Sequence, residues 1–368
     1  MKNNSSNKLF IPLVSIGLGL LIGSILLLIT GRNPILLVES LLKGAIGMDL
    51  AKGRIFNIRY LGEFLVMSMP IILTGLSIAF AYRTGLFNIG AEGQVIMGSL
   101  FTLIVATQFD LPSIIHIPLA LAAGALGGAL WGVIPGILKA YFNILEVVVG
   151  IMMNYVALYF SNYFVKGMDG FENLVSPSIH PSASLQKDWL SNLFGGSRFH
   201  LGFIVIILAV FAYWFIIEKT TYGYNLRATG FNKDGAEYAG LKVNQNIVSS
   251  MAISGAFAGL AGAVLTLGTF GYVLTLTSFG NYGYDGIAVA LVGNLSGIGV
   301  VLSGLLFGLL AVSKSILQLN AIPEETAAII SALIVFFVAS QKLIIMLQDK
   351  RNKKKLSKET NTLENEVK

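Results

Sequence analysis

The sequence predicts an all-α, polytopic membrane protein of about ten transmembrane helices, one of them broken or re-entrant. Three observations predict it. Of 368 residues, 55% are hydrophobic and 12% are charged, about half the roughly 25% charged residues of soluble domains. The mean hydropathy is +0.75. Apolar runs near the roughly 20 residues that cross a bilayer recur from end to end.

In order, the runs are Leu9–Thr30, Leu61–Tyr82, Leu86–Gln108, Ile114–Leu138, Ile144–Val165, Leu201–Ile217, Ile247–Tyr272, Tyr284–Leu295, Val300–Leu317 and Glu325–Leu347. The first reads as a signal anchor: Lys2 and Lys8 precede it and no small-residue cleavage site follows. The eighth is too short to span comfortably, so it is the broken or re-entrant one. Two connections are long. Lys166 to His200 is polar, with Pro177 and Pro181, and Glu218 to Asn246 reads EKTTYGYNLRATGFNKDGAEYAGLKVNQN. The other connections are tight, apart from the first outer loop. This predicts one membrane domain over 1–368: a bundle over 9–347, a loop over 218–246 and a basic tail over 348–368.

Cationic residues orient such a bundle, because cytoplasmic loops carry an excess of Lys and Arg. With both termini inside, the cytoplasmic side holds Arg83, Lys139, Lys219, Arg227, Lys233, Lys242 and the tail KRNKKKLSK, Lys350 to Lys358. The outer side holds Lys166, Lys187 and Arg198, and also five basic residues between Arg32 and Arg59, which oppose the assignment. The tail and the loop over 218–246 favour cytoplasmic termini. Much of the net charge of +6 lies in that tail, so it implies a flank beside membrane lipid and no nucleic-acid partner.

The stretch GLFNIGAEGQ, Gly85 to Gln94, opens the third run with polar residues. Glu92 lies nine residues beyond Arg83, about 13 Å along a continuous helix, which would place a carboxylate near mid-membrane. Such a group faces a cavity or a partner. Phe87, Asn88, Glu92 and Gln94 therefore line a polar path or build a buried joint beside one. Glu146, Asn154, Tyr155 and Tyr159 on the fifth run, and Asn281, Tyr284, Asp285 and Asn294 around the eighth, are further polar groups at membrane depth. Amides and phenols suit a neutral hydroxylated or heteroaromatic solute, and equally suit interhelical hydrogen bonds. Gly124, Gly128, Gly132 and Gly136 fall four apart on one helix face, a pattern that lets a second helix approach closely. The spacing recurs at Gly255 and Gly259, at Gly293 and Gly297, and at Gly304 and Gly308.

Several chemistries are excluded. There is no cysteine, hence no disulfide, thiolate metal site or cysteine nucleophile. His116, His180 and His200 lack zinc spacing and read as solvated histidines of outer positions. The nearest approach to a phosphate-binding loop, GAEYAGLK over 235–242, has Leu241 where the lysine belongs and no preceding strand. No catalytic residues, metal or cofactor are expected, and a chain of this kind that uses ATP needs another chain to bind it.

GLFNIGAEGQ and the loop GYNLRATGFNKDGAEYAG together resemble the permease subunits of bacterial ABC importers, over roughly Leu61 to Leu347. The nearest branch is that of purine-nucleoside (simple-sugar-like) permeases, related to ribose and branched-chain amino acid permeases. The resemblance implies a multi-pass protein of the cytoplasmic membrane that translocates nucleosides and is not itself an enzyme. It implies cytosolic ATPase subunits, a second and different permease, and an extracellular substrate-binding lipoprotein as partners. It also implies that Asn232, Lys233, Asp234, Gly235, Ala236 and Glu237 form the short coupling helix that docks in the ATPase. Local chemistry agrees: Asn232 can cap such a helix, Asp234 suits its first turn and Gly240 can end it. The rivals are a sugar or branched-chain amino acid permease of the same architecture, and an ion-coupled secondary carrier with Glu92 as its ion site.

Overall fold

A computed structural model describes residues 7–48, 53 and 56–339. The basic tail, Lys2 and the last part of the tenth run lie outside the described residues. Every regular element among the described residues is helical. The helices are α1 (Asn7–Ile29), α2 (Ile35–Ile46), α3 (Ile58–Arg83), α4 (Ala91–Gln108), α5 (Ser113–Phe142), α6 (Glu146–Lys166) and α7 (Asp188–Leu193). They continue with α8 (Gly202–Trp214), α9 (Thr221–Phe231), α10 (Lys233–Tyr238), α11 (Val243–Val264), α12 (Tyr282–Val292), α13 (Gly297–Leu319) and α14 (Glu324–Ala339). Wider π turns extend α8 to Lys219 and α11 to Phe270.

The expected count of about ten spans is not reached. Among the described residues, six helices are long and apolar enough to cross a membrane: α3, α5, α6, α8 with its π turn, α11 with its π turn, and α13. The third run loses its first turns, because Gly85 takes φ +75° and the chain stays irregular until α4 begins at Ala91. The eighth run is a helix of 11 residues. The connection between the first two runs contains α2, and the long connection over 166–200 contains α7 and a 3-10 turn at Pro181–Ala183, none of them anticipated.

The chain divides into two compact units, one of residues up to Leu41 with those from Ser313 onward, the other Leu42–Val312. In the first, α1 packs on α14 at Gly19, where a side chain would meet the Ile334 backbone at 2.7 Å. The second unit holds all the candidate site residues. Its centre is α3, α4, α5 and α11. A Cβ on Gly128 would lie 2.7 Å from the Gly259 Cα and closer still to the Gly255 carbonyl oxygen. A Cβ on Gly98 would collide with Gly259 from the α4 side. Three helices thus meet backbone to backbone at Gly259, the contact that a small-xxx-small face permits.

Ion pairs tie the two ends of this unit. Arg198, from the long connection over 166–200, binds Glu63 near the start of α3 at 2.7 Å. At the other end of α3, Arg83 binds Glu218 at 2.6 Å, and Arg227 of α9 binds the same carboxylate at 2.7 Å. The two long connections therefore lie at opposite ends of α3, as the sequence anticipates for one outer and one cytoplasmic loop.

Candidate functional site

The polar stretch after α3 folds inward. Gly85 needs its positive φ for the turn, and it touches Gly230 of α9, where a Cβ would stand 2.8 Å from the Gly230 Cα. Asn88 is fully buried and donates to Gln94 at 2.8 Å and to Ser254 at 2.7 Å. Gln94 returns a bond to Asn88 at 3.1 Å, and Ser254 donates to the Ser77 carbonyl at 2.7 Å. This amide network joins α3, α4 and α11. Phe87 is half-buried against Tyr82, and its N–H donates to Glu146 at 3.4 Å. Glu146 is in turn ion-paired with Lys139 at 3.0 Å.

Glu92 has a different task. Its carboxylate accepts the N–H of Asn281 at 2.9 Å and of Gly283 at 2.6 Å. These are donors that a helix leaves unpaired at its start, where the macrodipole also favours negative charge. Glu92 is thereby the anchor of α12. Beside it Gly93 donates to Asn154 at 2.8 Å, and Asn154 donates to the Ile89 carbonyl at 3.0 Å and to the Tyr284 hydroxyl at 3.2 Å. Thr74 donates to the Tyr282 carbonyl at 2.8 Å.

These contacts fix depth. Thr74 lies nine residues before the end of α3, and Asn154 eight residues after the start of α6, or about 14 and 12 Å from the same end of the bundle. Through its cross-helix partners Glu92 thus lies well inside the length of α3 and α6, although the continuous helix from Arg83 expected of it is absent. The segment 271–281 before α12 is non-helical. It follows α6, where Asn162 both donates to the Leu276 carbonyl at 2.7 Å and accepts its N–H at 2.9 Å. An unwound stretch ending in a half-helix at mid-depth is the geometry of discontinuous transporter helices.

A cavity of about 220 Å³ opens beside Glu92 between α4, α6, α11 and this segment; its walls include Val95, Ser99, Leu158, Phe270 and Tyr282. Tyr155 is not in it. It is half exposed, with its ring 4.9 Å from that of Phe279. Asn294 stands apart, exposed in the turn after α12 at φ +51°.

The predicted coupling helix is α10. Asn232 caps it by accepting the Gly235 N–H at 2.9 Å, and Gly240 closes it at φ +82°. Lys233, Asp234, Gly235 and Glu237 are exposed, while Ala236 is rooted in a cluster with Ala81, Leu86, Ala140 and Met251. Sequence reasoning missed two aromatics here, Phe231 just before α10 at 95% and Tyr238 at its end at 98% exposure.

The histidines correct another expectation. His116 is buried, 2.8 Å from the Ser182 hydroxyl and 3.2 Å from the Val105 carbonyl. His200 is buried too, between Gly202 and Gly268. Burial, reinforced by Arg198, pushes its pKa down to about 4, so it is neutral at pH 7 and its Nδ1 accepts the Gly202 N–H at 3.1 Å. No group of three metal-ligating side chains occurs among the described residues.

Residues 60–339 match the family described as the permease component of branched-chain amino acid transport systems. The chain is 45% identical over 349 residues to the guanosine ABC transporter permease protein NupP of Bacillus subtilis strain 168, covering 95% of this chain and 98% of that one. It is 35% identical over 365 residues to the nucleoside ABC transporter permease protein NupB of Lactococcus lactis subsp. cremoris strain MG1363, covering 97% and 98%. It is 29% identical over 255 residues to a second B. subtilis guanosine ABC transporter permease protein, NupQ, covering 66% and 78%.

Proposed function

Because the chain belongs to the permease-component family of branched-chain amino acid transport systems, we propose that it is the nucleoside-translocating permease subunit of an ATP-driven importer. The observation that carries this reading is the likeness to NupP, a guanosine permease, over almost the full length of both chains. The chain supplies helices and a path, and does no covalent chemistry. Cytosolic ATPase subunits supply the energy, an extracellular lipoprotein delivers the nucleoside, and both termini are cytoplasmic. That one B. subtilis strain has two guanosine permease proteins similar to this chain supports a second, different permease as its partner.

In this reading α10 is the ATPase-docking element. Its exposed polar residues meet the ATPase, and Ala236 ties its motion to the turn at Leu86 and to α11. Reversing charge at Asp234 or Glu237, or placing a bulky residue at Gly235, is expected to cut uptake about tenfold or more. The amount of folded chain in the membrane should stay unchanged. Uptake and co-purification of the ATPase, measured in one preparation, check this. Full uptake with the loop disrupted would remove α10 from the coupling role.

The function itself is tested by reconstitution. The purified chain alone should hydrolyse no ATP and concentrate no solute in liposomes. Adding the ATPase, the second permease and the binding lipoprotein should give ATP-dependent uptake of guanosine or uridine in preference to ribose, glucose or leucine. Concentrative uptake by the lone chain under a proton or sodium gradient would instead establish a secondary carrier.

A further inference from the structure

Two adjoining cavities open at the end of the bundle that carries α10. The first, of about 450 Å³, lies between α9 and the start of α11, and its walls include Tyr222, Asn225, Lys242, Gln245, Asn246 and Ser249. The second, of about 300 Å³, lies between the last turns of α5 and the first turns of α11, walled by Ile137, Tyr141 and Val248 together with Gln245 and Ser249. Because they share Gln245 and Ser249, a polar space and a largely apolar one meet across one edge of α11.

The polar cavity offers groups that the fold leaves unused. Lys242 is the one charged residue in its walls, and no Asp or Glu lines either cavity. Among the described residues Lys242 has no ion pair, and the side-chain amides of Asn225 and Gln245 make no hydrogen bond. Asn246 is buried and donates to Thr229 at 2.9 Å, while its Oδ1 accepts nothing among the described residues. By contrast Arg83, Lys139 and Arg227, at the same end, already hold carboxylates. One free cation beside three amides suits a phosphate that carries hydroxyl groups.

The apolar cavity opens sideways, since Ile137 is 39% and Tyr141 60% exposed. Leu126, Leu130 and Ile134 continue the same exposed face of α5. From Tyr141 to Leu126 that face runs about 22 Å, longer than half of the roughly 30 Å hydrocarbon core. Tyr141 stands one residue from the end of α5 and Gln245 two from the start of α11, so the two cavities meet at the level of the membrane interface. A polar pocket alone would suit water or a free ion. A polar pocket that continues into a lateral apolar slot at that level suits an amphiphile.

We infer that the two cavities form one site for an anionic phospholipid with a glycerol headgroup. Lys242 takes the phosphate, the amides take the headgroup hydroxyls, and the slot at Ile137 takes the start of an acyl chain that continues along α5. Basic pockets of this kind between membrane helices hold lipid headgroups. The inference needs only the membrane setting of the chain and does not depend on which solute is transported.

Native mass spectrometry of the full chain in detergent tests it, with phosphatidylglycerol and phosphatidylethanolamine of the same acyl chains as probes. Phosphatidylglycerol should bind at least tenfold more tightly. Lys242→Gln should bring the two lipids within about twofold of each other, and Lys242→Arg should keep the preference. Lys166→Gln, at the opposite end of the bundle, should leave it unchanged. Ile137→Trp, at an exposed position, should fill the slot and weaken phosphatidylglycerol at least fivefold. Equal binding of the two lipids would overturn the inference. So would a preference that survives Lys242→Gln, or one that falls equally in Lys166→Gln and so reports diffuse surface charge. Displacement of the lipid by millimolar inorganic phosphate would make the polar cavity a site for free anions and overturn it, as would full affinity in Ile137→Trp. The chain assembled with its ATPase should show the same preference. Loss of the preference there would mean that a partner chain covers the cavities, and would overturn the lipid as occupant.

Discussion

Gly128→Leu is expected to leave almost no folded protein in the membrane. A side chain there enters a space already filled by backbone, the Gly255 carbonyl and the Gly259 Cα at 2.7 Å. Neither can rotate away as a side chain tip would. Overpacking usually costs about 1–3 kcal/mol because neighbours relax. Here α5 and α11 must separate, and the contact of α11 with α4 at Gly98 is disturbed too. A native chain holds only about 5–15 kcal/mol in reserve. Detergent-extracted monodisperse protein should fall at least tenfold for Gly128→Leu and for Gly259→Leu. Gly136→Ala, where the nearest atoms stand at 3.1 Å and include the Met251 Cβ, should lose much less. Equal yields for the three would show that the helices are not in backbone contact at Gly128 and Gly259.

The same glycines show what the sequence could and could not convey. Their spacing of four announces a close helix contact, because it is a local property of one helix. The identity of the partner, α11 for α5, is set by the whole bundle and is nowhere local. Asn232 and Gly240 were legible as cap and stop for the same reason: capping chemistry acts over three or four residues. The break between α3 and α4 was legible at Gly85, between the runs that end at Tyr82 and begin at Leu86, but not its length, since Phe87 and Ile89 continue the apolar pattern through a turn that the positive φ of Gly85 and the buried amide of Asn88 impose. His200 reads as a loop histidine, and only the packing of Gly202 and Gly268 on its ring reveals it as buried. Tyr155 was legible as a polar group at membrane depth, but its outward orientation depends on which face of α6 the rest of the bundle covers.

Glu92 is the sharpest of these cases, because its partners, Asn281 and Gly283, lie some 190 residues away in sequence and meet it only after folding. Glu92→Leu is expected to abolish uptake while leaving much of the chain folded. The change removes the acceptor of two backbone donors at the start of α12, and a buried donor left unpaired costs about 1–3 kcal/mol. It also removes a negative charge from the positive end of the half-helix. The helices α3, α5 and α11, which do not depend on Glu92, should still assemble, so the loss falls on α12 and on the unwound segment. Uptake per folded protein should drop at least tenfold, with a smaller drop in folded yield. Glu92→Gln distinguishes anchoring from ion coupling. Its amide oxygen can still accept one of the two N–H groups, so an anchoring residue should keep a substantial share of uptake as Gln. A proton- or ion-binding residue should lose all of it, because a glutamine can neither titrate nor carry the charge. If Gln is as inactive as Leu at unchanged yield, the carboxylate does more than hold α12, and the secondary-carrier reading gains the residue it needs.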